Sequence, residues 1–281
     1  MPTFYAGERA IQYRQTGTGT PVILTPGGRL GSAALASLAR TLDPHMQLIE
    51  WDRSNTGSSD LYLEEPPEQY RWADDAALLV EHLGLGRAIF IGGSAGSRLA
   101  YLTAIRHPDV VSGLLLWSVS GGGYSSQVLG YQYHTPYIEA AVRGGMAEVA
   151  GTPHFAELIR ANPGNAVRLL AMDADAFIAV MKSWNDVFYP STAAPVIGAT
   201  VAELAEVTAP TLIFDGNDDM HPAAAAQALQ AAIPGSRLVP CPWTRDEWML
   251  RYVGRIPESV LELYPRMSPT IIGYVRELGP A

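Results

Sequence analysis

The sequence is poor in cysteine and in clustered positive charge, and these absences exclude several classes of protein. Its single cysteine, Cys241, excludes an internal disulfide and a metal site built from several cysteines. The formal net charge is −9, and no run of Lys or Arg offers the basic patch that nucleic acids or anionic membrane surfaces require. No segment is long and apolar enough to span a bilayer, and residues 1–9 lack a basic start followed by an apolar stretch. We therefore expect a soluble cytoplasmic protein that binds neither nucleic acid nor membrane.

The 281 residues are 48% apolar and 17% charged, which is enough apolar material to bury one large core. Short apolar runs alternate with amphipathic segments, a pattern typical of strands and helices that cross over a parallel sheet. We predict strands at 21–25, 46–51, 87–91, 113–117, 210–214 and 237–239, and helices around 35–42, 72–83, 97–107, 223–233 and 269–278. The alternation stops between 121 and 206, where Tyr, Trp, Met and Ala are frequent. The predicted fold class is α/β: a mostly parallel central sheet with helices on both faces, formed by residues 1–120 and 207–281, with a helical cap inserted at 121–206.

A candidate nucleophile lies in the turn at residues 92–96, whose sequence is GGSAG. A buried-strand pattern precedes this turn and an apolar helical pattern follows it, as a serine held on a strand-to-helix elbow requires. Small residues two positions to either side of Ser94 avoid collision with the neighbouring strand and helix. The amide of Ala95 would lie at a helix N-terminus, where negative charge on a tetrahedral intermediate is favoured. We therefore predict Ser94 as the nucleophile and Ala95 as an oxyanion donor, with an ordinary Gly/Ser loop as the alternative.

A second glycine-rich turn, TPGGR at residues 25–29, follows the first strong strand. Its glycines leave backbone N–H groups open toward the carboxyl edge of the sheet. We predict that Gly28 supplies the second oxyanion donor. Arg29 is a candidate for binding a substrate carboxylate or phosphate, and an exposed salt bridge is the alternative.

These two turns resemble those of the α/β-hydrolase family, in particular its capped branch, and the resemblance extends over nearly the whole chain. Residues 26–27 occupy the place of the family's His-Gly pair, and residues 52–60 (DRSNTGSSD) loosely match its DxRGxGxSD segment. The family's nucleophile is Ser, Asp or Cys. A serine at position 94 therefore implies cleavage of an ester, a lactone, a thioester or a carbon–carbon bond, rather than the epoxide and haloalkane hydrolysis that uses Asp.

The resemblance also implies a catalytic carboxylate after the strand that follows the cap, in a pattern like GxxDxxxP. Residues 214–222 (FDGNDDMHP) fit this pattern twice. Asp219 has the usual spacing from Gly216, whereas Asp218 has the usual spacing to Pro222. We prefer Asp218, because a proline that starts the next helix fixes the register of the loop. The alternative is that both carboxylates only cap that helix.

The histidine that this family places after its last strand is missing. No histidine follows His221, and the segment expected to hold it, residues 240–248, reads PCPWTRDEW. An imidazole is the group that takes the serine proton and returns it near neutral pH, so the triad needs a substitute base. Our first candidate is His221, on the acid loop. The alternatives are His134, descending from the cap, and a direct role for Asp246 or Glu247.

The sequence thus predicts a serine hydrolase that cleaves an ester, lactone or related carbonyl bond of a small apolar molecule. Ser94, Asp218 and His221 would be catalytic, and no metal or organic cofactor is required. The aromatic and methionine residues of the predicted cap favour a mostly apolar pocket, with the packing of a small helical lid as the alternative role. Two other hypotheses stay open: a lyase, isomerase or cyclase that uses the same pocket, and a ligand-binding protein without catalysis.

Overall fold

The computed structural model describes residues 1–189 and 194–279. Its centre is a sheet of eight strands in the order β1-β2-β4-β3-β5-β6-β7-β8. The strands are β1 (Thr3–Ala6), β2 (Arg9–Thr16), β3 (Pro21–Thr25), β4 (Gln47–Asp52), β5 (Ala88–Gly93), β6 (Val111–Trp117), β7 (Thr211–Phe214) and β8 (Arg237–Val239). Strand β2 is antiparallel to both neighbours, and the pairs from β4 to β8 are all parallel. The predicted mostly parallel sheet is confirmed, and the six predicted strands are present with ends shifted by two residues or fewer.

Helices cover both faces of the sheet. The α-helices are α1 (Ala36–Leu42), α2 (Glu68–His82), α3 (Ala95–Arg106), α4 (Gly122–Gly151), α5 (Pro153–Ala161), α6 (Gly164–Leu170), α7 (Ala174–Asp186), α8 (Val201–Ala205), α9 (Ala223–Ala232), α10 (Arg245–Tyr252) and α11 (Ser268–Leu278). The apolar sides of α2, α3 and α9 form one buried cluster with the sheet. Those of α1, α11 and a 3-10 helix at Val260–Met267 form the other. None of the helices in the described part of the chain is long and apolar enough to cross a membrane.

Helices α4 to α8 lie between β6 and β7, inside the stretch predicted to form a cap. Helix α4 is interrupted by non-helical backbone at Gly144 and Gly145. Helices α4 to α7 share a buried apolar cluster with Leu61 and Leu63, which come from the loop after β4. This cluster is separate from the two clusters on the sheet, so these helices have a core of their own that packs against one loop of the sheet domain.

The hairpin of β1 and β2 was not among the predicted strands. Strand β2 has one buried residue, Ile11, and its other side chains are partly buried or exposed, because the strand lies near the edge of the sheet. Its sequence therefore lacks the apolar run that marked the inner strands. Helix α10 was also not predicted. It begins at a capping box in which Thr244 and Glu247 bind each other's backbone amides.

The parallel strands bring three predicted turns to one edge of the sheet. Gly28 follows β3, Ser94 follows β5 and Asp218 follows β7. Since the carboxyl ends of neighbouring parallel strands meet at the same edge, this arrangement places the candidate site there.

Candidate active site

Ser94 occupies a sharp turn between β5 and α3. Its φ is +54° and its ψ is −113°, a conformation that L-residues rarely adopt. Its amide donates to the carbonyl oxygen of Trp117 at 3.1 Å, which fixes the turn to β6. Ser94 is partly exposed, whereas the other four residues of the GGSAG turn are buried. The turn therefore holds one hydroxyl at the surface of an otherwise packed corner.

The glycines of this turn are required by close contacts. A Cβ atom at Gly92 would lie 2.5 Å from the carbonyl carbon of Gly96. A Cβ at Gly96 would collide with the carbonyl oxygen of Thr25, and one at Gly93 with the indole of Trp117. Small residues on either side of the serine are therefore required, because the elbow packs against itself at Gly92 and against β3 at Gly96.

The structure brings His221 to Ser94 and Asp218 to His221. Nε2 of His221 lies 3.2 Å from Oγ of Ser94, and Nδ1 lies 3.0 Å from Oδ2 of Asp218. The other carboxylate oxygen of Asp218 accepts from the amides of Met220 at 2.8 Å and His221 at 2.9 Å. Each nitrogen of the imidazole therefore faces one of the two groups that a serine, histidine and acid triad requires.

Asp218 and Asp219 differ in their surroundings. Asp218 is 6% exposed, whereas Asp219 forms an exposed salt bridge with Arg245. Burial by itself would raise the pKa of Asp218, but the hydrogen bonds from His221 and from the two amides outweigh it and lower that pKa. Asp218 is therefore ionised near neutral pH and accepts from the imidazole. Asp219 points to a different partner.

The segment in which the family resemblance placed the histidine carries aromatic side chains instead. Trp243, Trp248 and Tyr264 form a cluster of rings with centroids 5.5 to 6.4 Å apart and interplanar angles of 21° to 35°. The ring of Trp248 meets the imidazole of His221 edge to face at 5.8 Å. This cluster thus packs against the outer side of the imidazole.

Of the two carboxylates considered as alternative bases, Glu247 is held by partners in and near its own helix. Its side chain accepts from the Thr244 amide at 2.9 Å and pairs with Arg266 at 2.8 Å. Asp246 is exposed in the first turn of α10. Neither carboxylate forms a hydrogen bond with Ser94 within the described residues, whereas His221 lies 3.2 Å from its hydroxyl. The structure therefore favours His221 as the base.

The predicted oxyanion donors, Gly28 and Ala95, belong to the turn after β3 and to the start of α3. A Cβ at Gly27 would lie 3.1 Å from the Cβ of Ser94, so the turn after β3 passes directly beside the nucleophile. Gly28 has a φ of +53°, which favours glycine. Ala95 is the first residue of α3. Within the described residues, the amides of Gly28 and Ala95 donate to no protein acceptor outside regular helices and strands.

Arg53 fixes the Gly28 turn, and the sequence analysis did not single it out. Its guanidinium is fully buried and donates to the carbonyl oxygens of Gly28 at 3.0 Å and Leu30 at 3.1 Å. Burial lowers its pKa to about 10, so it remains charged at neutral pH. Its place in the DxRGxGxSD-like segment at residues 52–60 is the sequence feature that could have pointed to this role. In that segment Asp52 accepts from Ser32 at 2.7 Å and so holds the same turn from the other side.

Arg29 differs from the prediction. Its side chain is buried and pairs with the equally buried Glu68 at 2.7 Å, and it donates to the carbonyl oxygen of Tyr133 at 2.9 Å. The alternative, an exposed salt bridge, is correct about the ion pair but wrong about its exposure, because both side chains are buried. A guanidinium already paired with a buried carboxylate is a poor receptor for a second anion by itself, because burying the pair cost both groups their hydration. Arg29 instead connects α2 to α4.

His134 is not brought to Ser94. It is fully buried among aromatic rings in α4, and its Nδ1 lies 3.0 Å from the carbonyl oxygen of Gly130. Burial and the nearby charge of Arg29 lower its pKa to about 3, so the ring is neutral. The interpretation of His134 as a polar residue packed in the lid is the one that the structure supports. No group of three or more potential metal ligands occurs among the described residues.

Comparisons with known proteins agree with this architecture. Residues 20–121 match the family model for the alpha/beta hydrolase fold. A proposed carbamate hydrolase, RutD, of Klebsiella pneumoniae subsp. pneumoniae is 28% identical over 234 residues, which span 80% of this chain and 84% of the relative. The structure of a thermophilic esterase from Thermogutta terrifontis aligns with a TM-score of 0.64 and 20% identity, over 98% of this chain and 96% of the esterase. The enol-lactonase from Burkholderia xenovorans aligns with a TM-score of 0.64 and 18% identity, over 98% of this chain and all of the lactonase.

Proposed function

Since the chain has the α/β-hydrolase fold, as the sequence resemblance implied, we propose that it is a serine hydrolase that cleaves an ester, lactone or related carbonyl bond of a small molecule. The observation that carries the proposal is the 3.2 Å contact between Nε2 of His221 and Oγ of Ser94. A general base has to lie within hydrogen-bond reach of the proton that it removes. The hypothesis of a non-catalytic binding protein was based on a missing base, and this contact supplies one.

The proposed mechanism uses protein groups alone. Oγ of Ser94 attacks the substrate carbonyl carbon while Nε2 of His221 takes the hydroxyl proton. The oxygen of the resulting tetrahedral intermediate accepts from the amides of Gly28 and Ala95. His221 then gives its proton to the leaving group, and an acyl-enzyme on Ser94 remains. Water attacks this ester with His221 again as the base, which releases the acid and restores the serine.

Asp218 orients the base in this mechanism. Its Oδ2 accepts from Nδ1 of His221, which leaves the lone pair of Nε2 toward Ser94. Its negative charge also stabilises the imidazolium that forms during attack. Because the nucleophile, the base and the oxyanion donors all belong to the chain, the reaction needs no metal or organic cofactor.

Helices α4 to α8 act as the cap in this proposal. Leu129, Phe188 and Ile197 form a small buried cluster, and Tyr133 and Met220 pack against it. Tyr133 adjoins Gly28 and Met220 precedes His221, so the cluster extends from the oxyanion side of Ser94 to its imidazole side. An apolar cluster in this position suits a small substrate molecule that has an apolar part. We infer a cytoplasmic enzyme, with the small-molecule substrate as its partner, from the sequence.

A fluorophosphonate probe tests the proposed function directly. The wild-type protein should become labelled at Ser94, and Ser94→Ala should remain unlabelled. His221→Gln should slow labelling and lower kcat for ester hydrolysis by about a millionfold, the loss typical when the base of a triad is removed. His45→Gln, in an exposed loop between α1 and β4, is the matched control and should leave both rates unchanged. A folded wild-type protein that takes up no probe would refute the proposal.

A further inference from the structure

Three arginines with buried side chains lie in the neighbourhood of Tyr133, close to the turn of Gly28. The guanidinium of Arg29 lies 5.4 Å from the ring centroid of Tyr133. Arg53 donates to the carbonyl oxygen of Gly28, and a Cβ at Gly28 would lie 3.5 Å from the Tyr133 hydroxyl. Phe188 lies between Tyr133 and Arg98. Its ring centroid is 5.7 Å from that of Tyr133 and 4.6 Å from the guanidinium carbon of Arg98. Each guanidinium thus lies near Tyr133, either directly or through one shared neighbour.

Three buried arginines in this region face two buried carboxylates, Glu68 and Asp52. Glu68 pairs with Arg29, both side chains being buried. Arg53 and Arg98, which are 0% and 3% exposed, form no salt bridge within residues 1–189 and 194–279. Two nitrogen atoms of each guanidinium also lack a hydrogen-bond partner in the described structure. A buried guanidinium whose N–H donors are not all satisfied is costly. Two buried guanidinium groups with unsatisfied N–H donors, one bound to the Gly28 turn and one against Phe188, favour an anionic partner in this region.

Tyr133 is placed to contact that partner. It belongs to α4 and is partly exposed, and its hydroxyl faces the Gly28 turn on the side of the predicted oxyanion donor. Burial raises the pKa of its phenol even though the three arginines oppose this, so the group stays protonated near neutral pH. A protonated phenol donates a hydrogen bond, and donation to a carboxylate is stronger than donation to a neutral oxygen.

The geometry points to a substrate whose acyl part carries a carboxylate a few bonds from the scissile carbonyl. The Tyr133 hydroxyl donates to this carboxylate, and the charges of Arg98 and Arg53 compensate it. The inference rests on the proposed serine hydrolase reaction and narrows its substrate class from a mainly apolar molecule to an anionic one. Tyr133 thereby becomes a specificity-determining residue, and the apolar cluster of Leu129, Phe188 and Ile197 packs against the carbon chain of the same acyl group.

Two esters that differ by one charge test this inference. The substrates are the phenyl half-ester of succinate and its methyl ester, phenyl methyl succinate, which is neutral and nearly identical in shape. For the wild-type enzyme, kcat/KM should be about tenfold or more higher for the half-ester, and added salt should reduce this ratio. Tyr133→Phe should lower kcat/KM more for the half-ester than for the diester, so that the ratio falls severalfold. Arg98→Met should abolish the preference. Tyr131→Phe, exposed on the same helix, is the matched control and should keep the wild-type ratio.

Equal kcat/KM for the two esters, or a loss in Tyr133→Phe that is the same for both, would overturn the inference. Because Arg98→Met removes a buried side chain and can fail to fold, Tyr133→Phe decides the result in that case. Calorimetric binding of both esters to Ser94→Ala distinguishes this inference from the proposed function. Tighter binding of the half-ester without any turnover by the wild type would refute the hydrolase and support the anion site, whereas turnover of both esters with equal binding would do the reverse.

Discussion

Nδ1 of His221 lies 3.0 Å from Oδ2 of Asp218, three residues earlier in the same loop, while Asp219 between them pairs with Arg245 on the surface. Adjacent carboxylates in one loop thus have different partners. Asp218→Asn should lower kcat by about 10⁴, because an amide no longer holds the imidazole in the correct tautomer. Asp219→Asn should leave kcat within about twofold, since exposed ion pairs contribute little. Steady-state kinetics on both variants measure the difference. Similar losses in the two variants would show that Asp218 is not the acid.

The lowered pKa of Asp218 gives stability a defined pH dependence. A carboxyl group whose pKa is lower in the folded than in the unfolded state stabilises the fold above its unfolded pKa. That contribution is lost as the pH falls through the folded pKa. The difference in free energy of unfolding between wild type and Asp218→Asn should therefore be largest near neutral pH and shrink below the ordinary aspartate range, around pH 4. Urea denaturation at several pH values measures this. A difference that grows toward acid pH would contradict the direction of the shift.

The elbow should tolerate no side chain at Gly96. Gly96→Ala places a Cβ against the carbonyl oxygen of Thr25, so it should destabilise the protein by roughly 1–3 kcal/mol, as overpacking does, and displace Ser94. Gly273→Ala in α11 is the matched control, because its Cβ meets nothing within 4 Å. It should stabilise the protein by about 0.5–1 kcal/mol through helix propensity. Thermal unfolding and ester hydrolysis follow both effects. Unchanged activity in Gly96→Ala would mean that the turn can shift without moving the nucleophile.

The nucleophile turn and the sheet could be predicted from the sequence because both depend on local pattern. The run of buried residues in β5, the glycines around Ser94 and the apolar face of α3 are neighbours in the chain, and each enforces the same strand–turn–helix geometry. The preference for Asp218 over Asp219 followed in the same way from Pro222, which immediately precedes α9. The structure agrees with that preference in the partners that it gives the two carboxylates.

Contacts between distant segments could not be predicted in this way. His221 meets Ser94 across 127 positions, and the sequence could name it only as a candidate on a loop at the correct edge of the sheet. The environment of Arg29 depends on Glu68 in α2 and on Tyr133 in α4, which no local pattern links to it. The accumulation of Arg29, Arg53 and Arg98 around one tyrosine likewise needs three separate loops and helices to converge.

Two backbone amides of the loop that carries Asp218 and His221 donate to the Asp218 carboxylate, so the proposed acid and the proposed base belong to one short hydrogen-bonded loop between β7 and α9. In such an arrangement a single segment determines both the tautomer and the orientation of the imidazole ring. Under the proposed mechanism the stretch after β8 has no catalytic task, so a substitution of Trp248 would change the packing against the imidazole without removing the acid or the base.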